Sequence, residues 1–319
     1  MNYTLNMAQT KQVQKKLLEI YKEIKRVCDK NKIPFFAIAG TALGAVRHGG
    51  FIPWDDDVDL GVKASDFERF KKACKKDLKG PYEFRELPWI GGKVHDKTTT
   101  FIEAPGAMHR ENGYGVFIDI FPLIGVPNEP NERFGFMNNM TLFYFQAMLF
   151  DRYPEATKYT KAQILEWRES LMTKCDLEES EAYTAFADGY TFTQKTEGLK
   201  KPVEMPFEDT TVLIPSTYDA DLTAQYGDYM VLPPEEQRHE HGNLAYVDLK
   251  APYTDYYDKL ERLDSKLLEF LKRKHGFEGE AFLNSALFMT DGNTLRRELK
   301  QIKNSKAYKI AEKMRKVFK

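Results

Sequence analysis

Residues 40–60 read G-T-A-L-G-A-V-R-H-G-G-F-I-P-W-D-D-D-V-D-L, and this stretch decides the fold. It follows a short apolar run, Phe35 to Ala39, that lies between a proline and a glycine and predicts a buried strand. Thr41 to His48 predicts a short helix that ends at a glycine pair. Asp57 to Val62 then alternates polar and apolar residues, which is typical of a strand with one polar face.

Two aspartates of this last strand form a candidate metal site. Residues i and i+2 on a strand share a face, so Asp57 and Asp59 point one way while Val58 and Leu60 point into the core. Two such carboxylates repel each other unless a cation lies between them, which favours a metal site. The alternative interpretation is an exposed acidic strand end that binds no metal. Oxygen ligands without a nearby Cys or His favour Mg²⁺, with Mn²⁺ as a substitute.

A third carboxylate is expected from the apolar run V-F-I-D-I-F, which contains the lone acid Asp119. Burying an unpaired charge in such a strand is costly, so a neighbouring cation would explain its presence. The alternative is an aspartate that accepts hydrogen bonds from an arginine or from backbone amides.

Composition narrows the class of protein. The chain has 319 residues, a formal net charge of −1 and 42% hydrophobic residues, which suits a large globular core and argues against a nucleic-acid partner. Its three cysteines (Cys28, Cys74, Cys175) form no close pair, and the first residues contain no apolar signal segment. We therefore expect a reduced, cytoplasmic protein.

Periodicity along the rest of the chain predicts an α+β (mixed α/β) protein, a small mixed sheet flanked by helices. Apolar residues at spacings of three and four predict a helix from Gln9 to Lys30. A second helix is expected from Ser65, as N-cap, to Leu78. Further strands are expected near residues 82–87, 99–103 and 116–121, followed by helices to about residue 175 and irregular chain to residue 234.

We expect three regions: a catalytic core with the N-terminal helix (1–130), a helical insertion with an acceptor region (131–260), and C-terminal helices (261–319). The uncharged stretch 134–150 predicts a buried or half-buried helix, or else a surface that lies against a membrane or partner. Residues 295–319 carry ten Lys or Arg and two Glu. They predict an amphipathic helix packed on the protein, or a patch for an anionic membrane or polyanionic acceptor.

The order of these features resembles the nucleotidyltransferase superfold of DNA polymerase β: a strand, a Gly-Thr turn, a helix, a D-x-D motif and a later Asp. The whole 40–60 string resembles the LicD family of phosphorylcholine transferases, and the likeness extends over about residues 9–260. Three later blocks are similar to that family: G-V-F-I-D-I-F-P-L (115–123), I-P-S-T-Y-D (214–219) and Y-G-D-Y-M-V-L-P-P (226–234). R-H-E-H at 238–241 departs from the family's paired histidines, which leaves open whether His239 or His241 matters.

The resemblance implies Mg²⁺-dependent transfer of phosphorylcholine, or a similar phospho-alcohol, from CDP-choline or another CDP-alcohol. The acceptor would be a sugar hydroxyl of a cell-surface glycan such as teichoic acid or lipopolysaccharide, lipid-linked or finished, with release of CMP. By this analogy Asp57 and Asp59 hold the metal, and Asp119 completes the site and serves as base. A nucleotidyltransferase that releases pyrophosphate and a silent binding module are the alternatives.

Other residues are weaker candidates for binding substrate. Gly40 and Thr41 begin a helix whose N–H groups suit phosphate, and Lys93 follows a glycine pair. Arg47 and His48 suit donor phosphate or a structural pair, and Trp54 suits a base, a quaternary ammonium or a loop anchor. Arg238 and His241 suit an anionic subsite. We expect the remaining residues to fix loops (Asp55, Asp56) or lie on the surface (His109, His275).

Overall fold

The computed structural model describes residues 5–103, 113–152, 157–186, 193–239 and 244–256. Within these ranges the protein belongs to the expected α+β class. Its helices and strands, in chain order, are α1 (Met7–Asn31), β1 (Phe35–Ala37), α2 (Ala39–His48), β2 (Asp59–Lys63), α3 (Ala64–Asp77), β3 (Tyr82–Glu86), β4 (Gly92–Asp96), β5 (Thr100–Glu103), β6 (Phe117–Gly125), α4 (Pro130–Arg152), α5 (Lys161–Met172), β7 (Ala182–Ala185), β8 (Gln194–Lys195), α6 (Glu197–Lys200), β9 (Val203–Phe207), β10 (Thr210–Ile214), α7 (Tyr218–Tyr226) and β11 (Leu244–Asp248).

Helix α1 forms because its apolar residues recur at helical spacing and its first turn is capped. The Asn6 side chain accepts hydrogen bonds from the N–H groups of Ala8 and Gln9, and the Gln9 side-chain oxygen accepts one from the Asn6 N–H. Lys32, in the left-handed region with φ of 53°, ends the helix. The helix predicted over residues 9–30 is therefore confirmed.

The main sheet has the strand order β1-β2-β6-β4-β3, with β7 and β8 added beyond β6. Strands β2 and β6 are parallel, and the other described pairs are antiparallel. One face, which includes the fully buried Leu60, Val94 and Ile118, belongs to the core that helices α1 and α3 complete. The opposite face of β2, β4 and β6 carries polar residues.

Two sequence predictions are wrong and one strand was missed. Helix α3 begins at Ala64 with Lys63 at its cap, so Ser65 is not the N-cap. The segment expected to be irregular to residue 234 contains β7 to β10 with α6 and α7. Strand β4 was not predicted because all five of its residues are buried, so the alternation that identifies a half-exposed strand is absent.

The uncharged stretch 134–150 lies in α4, as the half-buried interpretation predicted. Met140, Phe143 and Ala147 are buried in a second core with residues of α5, whereas Phe134 and Leu142 remain exposed. No helix in the described ranges is both long and apolar enough to span a membrane.

The second predicted region contributes strands to the first. Strand β7 pairs with β6, and β11 pairs with β5. The predicted C-terminal helices and the basic segment 295–319 lie outside the described residues.

Candidate functional site

Four charged residues form a row across the polar face of the sheet. Asp59 on β2 is in register with Asp119 on β6, Asp119 with Lys93 on β4, and Lys93 with Arg85 on β3. Residues in register share a face, and neighbouring strands lie about 4.8 Å apart. Two acids and two bases therefore follow one another across four strands.

Asp57 joins this row from the segment just before β2. The Asp119 N–H donates to the Val58 carbonyl at 3.1 Å, so the pairing with β6 already begins just before the first residue of β2. Val58 and Leu60 are 1% and 0% exposed, while Asp57 and Asp59 are half-buried. The two-residue alternation predicted for this segment is confirmed.

The carboxylates match a hard cation in donor chemistry but do not form a preassembled cage. Among the described residues, no group of three or more His, Cys, Asp and Glu side chains is arranged to hold a metal ion. Mg²⁺ commonly binds through one or two carboxylates together with waters and substrate phosphates. Asp59, Asp119 and Asp57 fit that manner of binding, in which the substrate supplies part of the shell.

Helix α2 begins two residues earlier than predicted, so Gly40 and Thr41 lie in its first turn rather than in a turn before it. The Thr41 hydroxyl accepts a hydrogen bond of 2.9 Å from the Asp59 N–H, which joins the helix to the acidic strand. Ile38 at the N-cap provides no side-chain acceptor. The helix start therefore has no side-chain cap from its N-cap residue, and its dipole favours an anionic group.

A loop of aspartates is held against this helix start. A Cβ at Gly40 would lie 3.2 Å from Asp55 Oδ2, so glycine permits the close approach of that carboxylate. Gln14 of α1 donates to the carbonyls of Ile52 at 3.0 Å and Asp55 at 2.8 Å. Sequence reasoning missed Gln14, because a polar residue beside an apolar stripe gives no sign of what it contacts.

Four predicted binding residues lie together at the C-terminal end of α2. Arg47 donates from Nε to His48 Nε2 at 3.0 Å and from Nη1 to the Tyr229 carbonyl at 2.7 Å. His48 packs edge-on against Trp54, and the Arg238 guanidinium lies 5.8 Å from the Trp54 ring centroid. Burial, followed by the Arg47 charge, lowers the pKa of His48, which suits an acceptor of the Arg47 hydrogen bond.

Lys93 is buried, with Nζ 4.4 Å from the ring centroid of Phe117 and 5.5 Å from that of Tyr114. Aromatic rings can stabilise an ammonium group by cation–π attraction, so its charge is held beside Asp119. The missed strand β4 thus places the residue that the sequence suggested as a phosphate ligand.

His95, also on β4, is a buried polar residue that the sequence analysis did not single out. It is 0% exposed, and neither ring nitrogen has a hydrogen-bond partner among the described residues. Burial, followed by the charges of Lys93, Arg85 and Lys97, lowers its pKa to about 3. A neutral imidazole therefore lies near the row of charges.

Arg238 and the remaining histidines of the sequence predictions are only partly within the described residues. Arg238 is half-buried and donates to the Pro233 carbonyl at 2.7 Å, and His239 is exposed. His241, His109 and His275 lie outside the described residues.

Comparison with known families matches the part of the chain that carries these residues. A family model described as "LicD/FKTN/FKRP, nucleotidyltransferase domain" matches residues 32–154, which include β1, α2, β2 and β6 with all three aspartates. The chain therefore contains a LicD-family domain.

A curated relative extends the likeness beyond this domain. The chain is 28% identical over 247 residues to the lipopolysaccharide cholinephosphotransferase LicD of Haemophilus influenzae. This match covers 69% of this chain and 91% of that protein. It is also 41% identical over 75 residues to an uncharacterized protein of Rickettsia typhi, a match covering 22% of this chain and 24% of that one. It is 46% identical over 55 residues to an uncharacterized protein of Rickettsia prowazekii, a match that covers 16% of this chain and 21% of that protein.

Proposed function

We propose that this protein transfers phosphorylcholine, or a similar phospho-alcohol, from a CDP-linked donor to a sugar hydroxyl of a cell-surface glycan, with release of CMP. The register of Asp59 with Asp119, beside the start of α2, is the observation on which this proposal chiefly rests. The likeness to a lipopolysaccharide cholinephosphotransferase supports the reaction and the acceptor class.

The proposed step forms one bond and breaks one. The acceptor oxygen attacks the phosphorus that bears the alcohol, and the bond from that phosphorus to the bridging oxygen breaks, so CMP leaves with the electron pair. The acceptor proton passes to a carboxylate, for which Asp119 is the candidate because it lies in the row beside Asp59. Lys93, in register with Asp119, can stabilise charge that develops on the transferred group.

Mg²⁺ is the cofactor we propose, with Mn²⁺ as a substitute. Bound by Asp57 and Asp59, it would neutralise pyrophosphate charge and stabilise the entering and leaving oxygens. Because the described residues form no preassembled cage, we expect Mg²⁺ to bind weakly alone and more tightly with a CDP-alcohol.

A second reaction uses the same residues. The matching family model is named for a nucleotidyltransferase domain, which favours attack on the phosphorus next to the nucleoside and release of a different leaving group. The two reactions differ in which phosphorus the acceptor attacks, so their products separate them.

The first prediction tests this choice. Incubation with CDP-choline, Mg²⁺ and a lipopolysaccharide acceptor should yield CMP and a choline-bearing glycan in equal amounts, measured by chromatography and mass spectrometry. A glycan that carries CMP, with phosphocholine released, would show nucleotidyl transfer instead. No product with any tested CDP-alcohol or glycan would contradict the proposed transfer of phosphorylcholine or a similar phospho-alcohol.

A further inference from the structure

A short turn precedes the candidate metal ligands and lies between α2 and β2. The Asp55 N–H donates to the Ile52 carbonyl at 3.0 Å, which closes the turn, and Asp57 follows it along the chain. Residues 49–57 belong to no helix or strand, so no regular ladder of backbone hydrogen bonds holds them. Backbone groups in such a segment find their partners in turns, side chains or water. The position of the turn is therefore set by contacts with other parts of the protein.

Gln14 of helix α1 holds both ends of this turn. Its Nε2 donates to the Ile52 carbonyl at 3.0 Å and to the Asp55 carbonyl at 2.8 Å. A carboxamide nitrogen carries two hydrogens, so one side chain can satisfy both carbonyls. The helix itself is held in place, because the neighbouring Val13 and Leu17 are 0% and 1% exposed in the core. Gln14 therefore joins the turn to the core of the protein.

The two aspartates proposed to hold the metal are fixed in different ways. Asp59 begins β2, where it is in register with Asp119, and its N–H donates to the Thr41 hydroxyl at 2.9 Å. Asp57 precedes β2 and follows closely on the Asp55 carbonyl that accepts from the Gln14 side chain. A shift of the turn therefore moves Asp57 more than it moves Asp59.

We propose that Gln14 is a positioning residue for the metal site, which keeps the Asp57 carboxylate on the same face as that of Asp59 by holding the turn between residues 52 and 55. The inference rests on the proposed function for the presence of a metal, whereas the two hydrogen bonds of Gln14 do not depend on that function. Groups that orient metal ligands from behind commonly change metal affinity about 10- to 100-fold when they are replaced.

The test measures binding without turnover. Calorimetry gives the Kd of CDP with excess Mg²⁺ and again with EDTA, and the ratio of the EDTA value to the Mg²⁺ value reports what the metal contributes. Gln14→Met keeps the length of the side chain but removes both N–H donors. This variant should lower the ratio about tenfold, or to one, because Asp57 is no longer held in place. The Kd of CDP in EDTA should stay within about twofold of the wild-type value, because no metal ligand takes part in it.

A second variant separates position from charge. Gln14→Glu also removes the donors, but it adds a negative charge that by itself favours a nearby cation. If Gln14 acts by positioning, this variant should lower the ratio as well. Gln12→Met is the matched control, because Gln12 is exposed on the same helix, and it should leave both Kd values within about twofold.

Circular dichroism verifies the fold of each variant. If Gln14→Met does not fold, Gln14→Asn replaces it, since an amide one methylene shorter cannot reach both carbonyls and should lower the ratio in the same direction. An unchanged ratio in the folded Gln14 variants, including one in which both Kd values rise together, would overturn the proposal, as would a wild-type ratio of one. A lowered ratio without CMP release from CDP-choline by the wild-type protein would contradict only the proposed function.

Discussion

At the scale of single residues, the pairing of Asp59 with Asp119 dominates the chemistry of the site. Two carboxylates on adjacent strands of a half-buried face repel each other, and Lys93 on the next strand offsets only part of that charge. This repulsion lowers the free energy of unfolding, but it leaves charge at a place where a cation and phosphates can bind, as is common at functional sites.

The second prediction follows from that repulsion. Asp59→Asn should lower kcat by at least about 100-fold, because it removes charge that would hold the proposed metal, while the melting temperature stays equal or rises. Steady-state kinetics with Mg²⁺ and calorimetric melting measure both quantities. Asp29→Asn, an exposed acid on α1, is the control and should alter neither by much. Near-normal turnover in Asp59→Asn would remove the metal assignment.

The third prediction concerns His95. Its pKa is lowered from 6.5 to about 3, so below pH 6.5 the unfolded chain binds a proton that the folded protein does not. The free energy of unfolding must therefore fall as the pH decreases from 6.5 towards 3, by on the order of 3 kcal/mol at pH 4. His95→Phe should remove this part of the acid sensitivity, as urea unfolding at several pH values would measure.

A control for His95 is the exposed His239. His239→Phe should leave the acid-side decrease unchanged. If His95→Phe shows the full wild-type decrease between pH 6.5 and 4, the imidazole is not buried in its neutral form.

At the scale of elements, the contact between α2 and β2 sets the geometry of the site. The Thr41 hydroxyl accepts from the Asp59 N–H at 2.9 Å, and Thr41 is 5% exposed, so water cannot readily replace it. The Gly40-Thr41 pair thus links the helix start, suited to phosphate, to the strand that carries the acid.

The fourth prediction breaks this link. Thr41→Val keeps the shape of the side chain but leaves the Asp59 N–H without its acceptor, which should lower the free energy of unfolding by about 1 to 3 kcal/mol. Turnover should fall as well, because Asp59 is no longer fixed relative to the helix. Thr41→Ser retains the hydroxyl and should recover most of both quantities in urea unfolding and kinetic assays. A Val variant as stable and active as the Ser variant would contradict this role.

At the scale of the whole molecule, local patterns predicted the elements, and register determined which residues meet. The stripe of α1 and the alternation of residues 57–62 were predicted because 3.6- and 2-residue periods are local. The pairing of Asp59 with Asp119, sixty residues apart, required the sheet order. Lys93 lies on strand β4, and Arg85 is in register with it on the neighbouring strand. All residues of β4 are buried, so the alternation that would have identified this strand is absent.

The last prediction concerns charge across the whole chain. Residues 295–319 carry a net charge of +8, so residues 1–294 carry −9, and the aspartates of the candidate site cannot attract an anionic surface. Basic residues near an anionic membrane contribute about 1 kcal/mol each. Deleting 295–319 should therefore weaken binding to phosphatidylglycerol vesicles far more than it slows transfer to a short soluble acceptor.

Binding of the full chain should fall steeply with salt, since the Debye length shrinks from about 10 Å at 0.1 M to about 3 Å at 1 M. A variant with Lys303, Lys306, Lys309 and Lys313 changed to Gln keeps the chain length and should lose binding in the same direction. Unchanged vesicle binding in both variants, or unfolding of the truncated chain with normal binding by the Gln variant, would show that the segment packs on the protein instead.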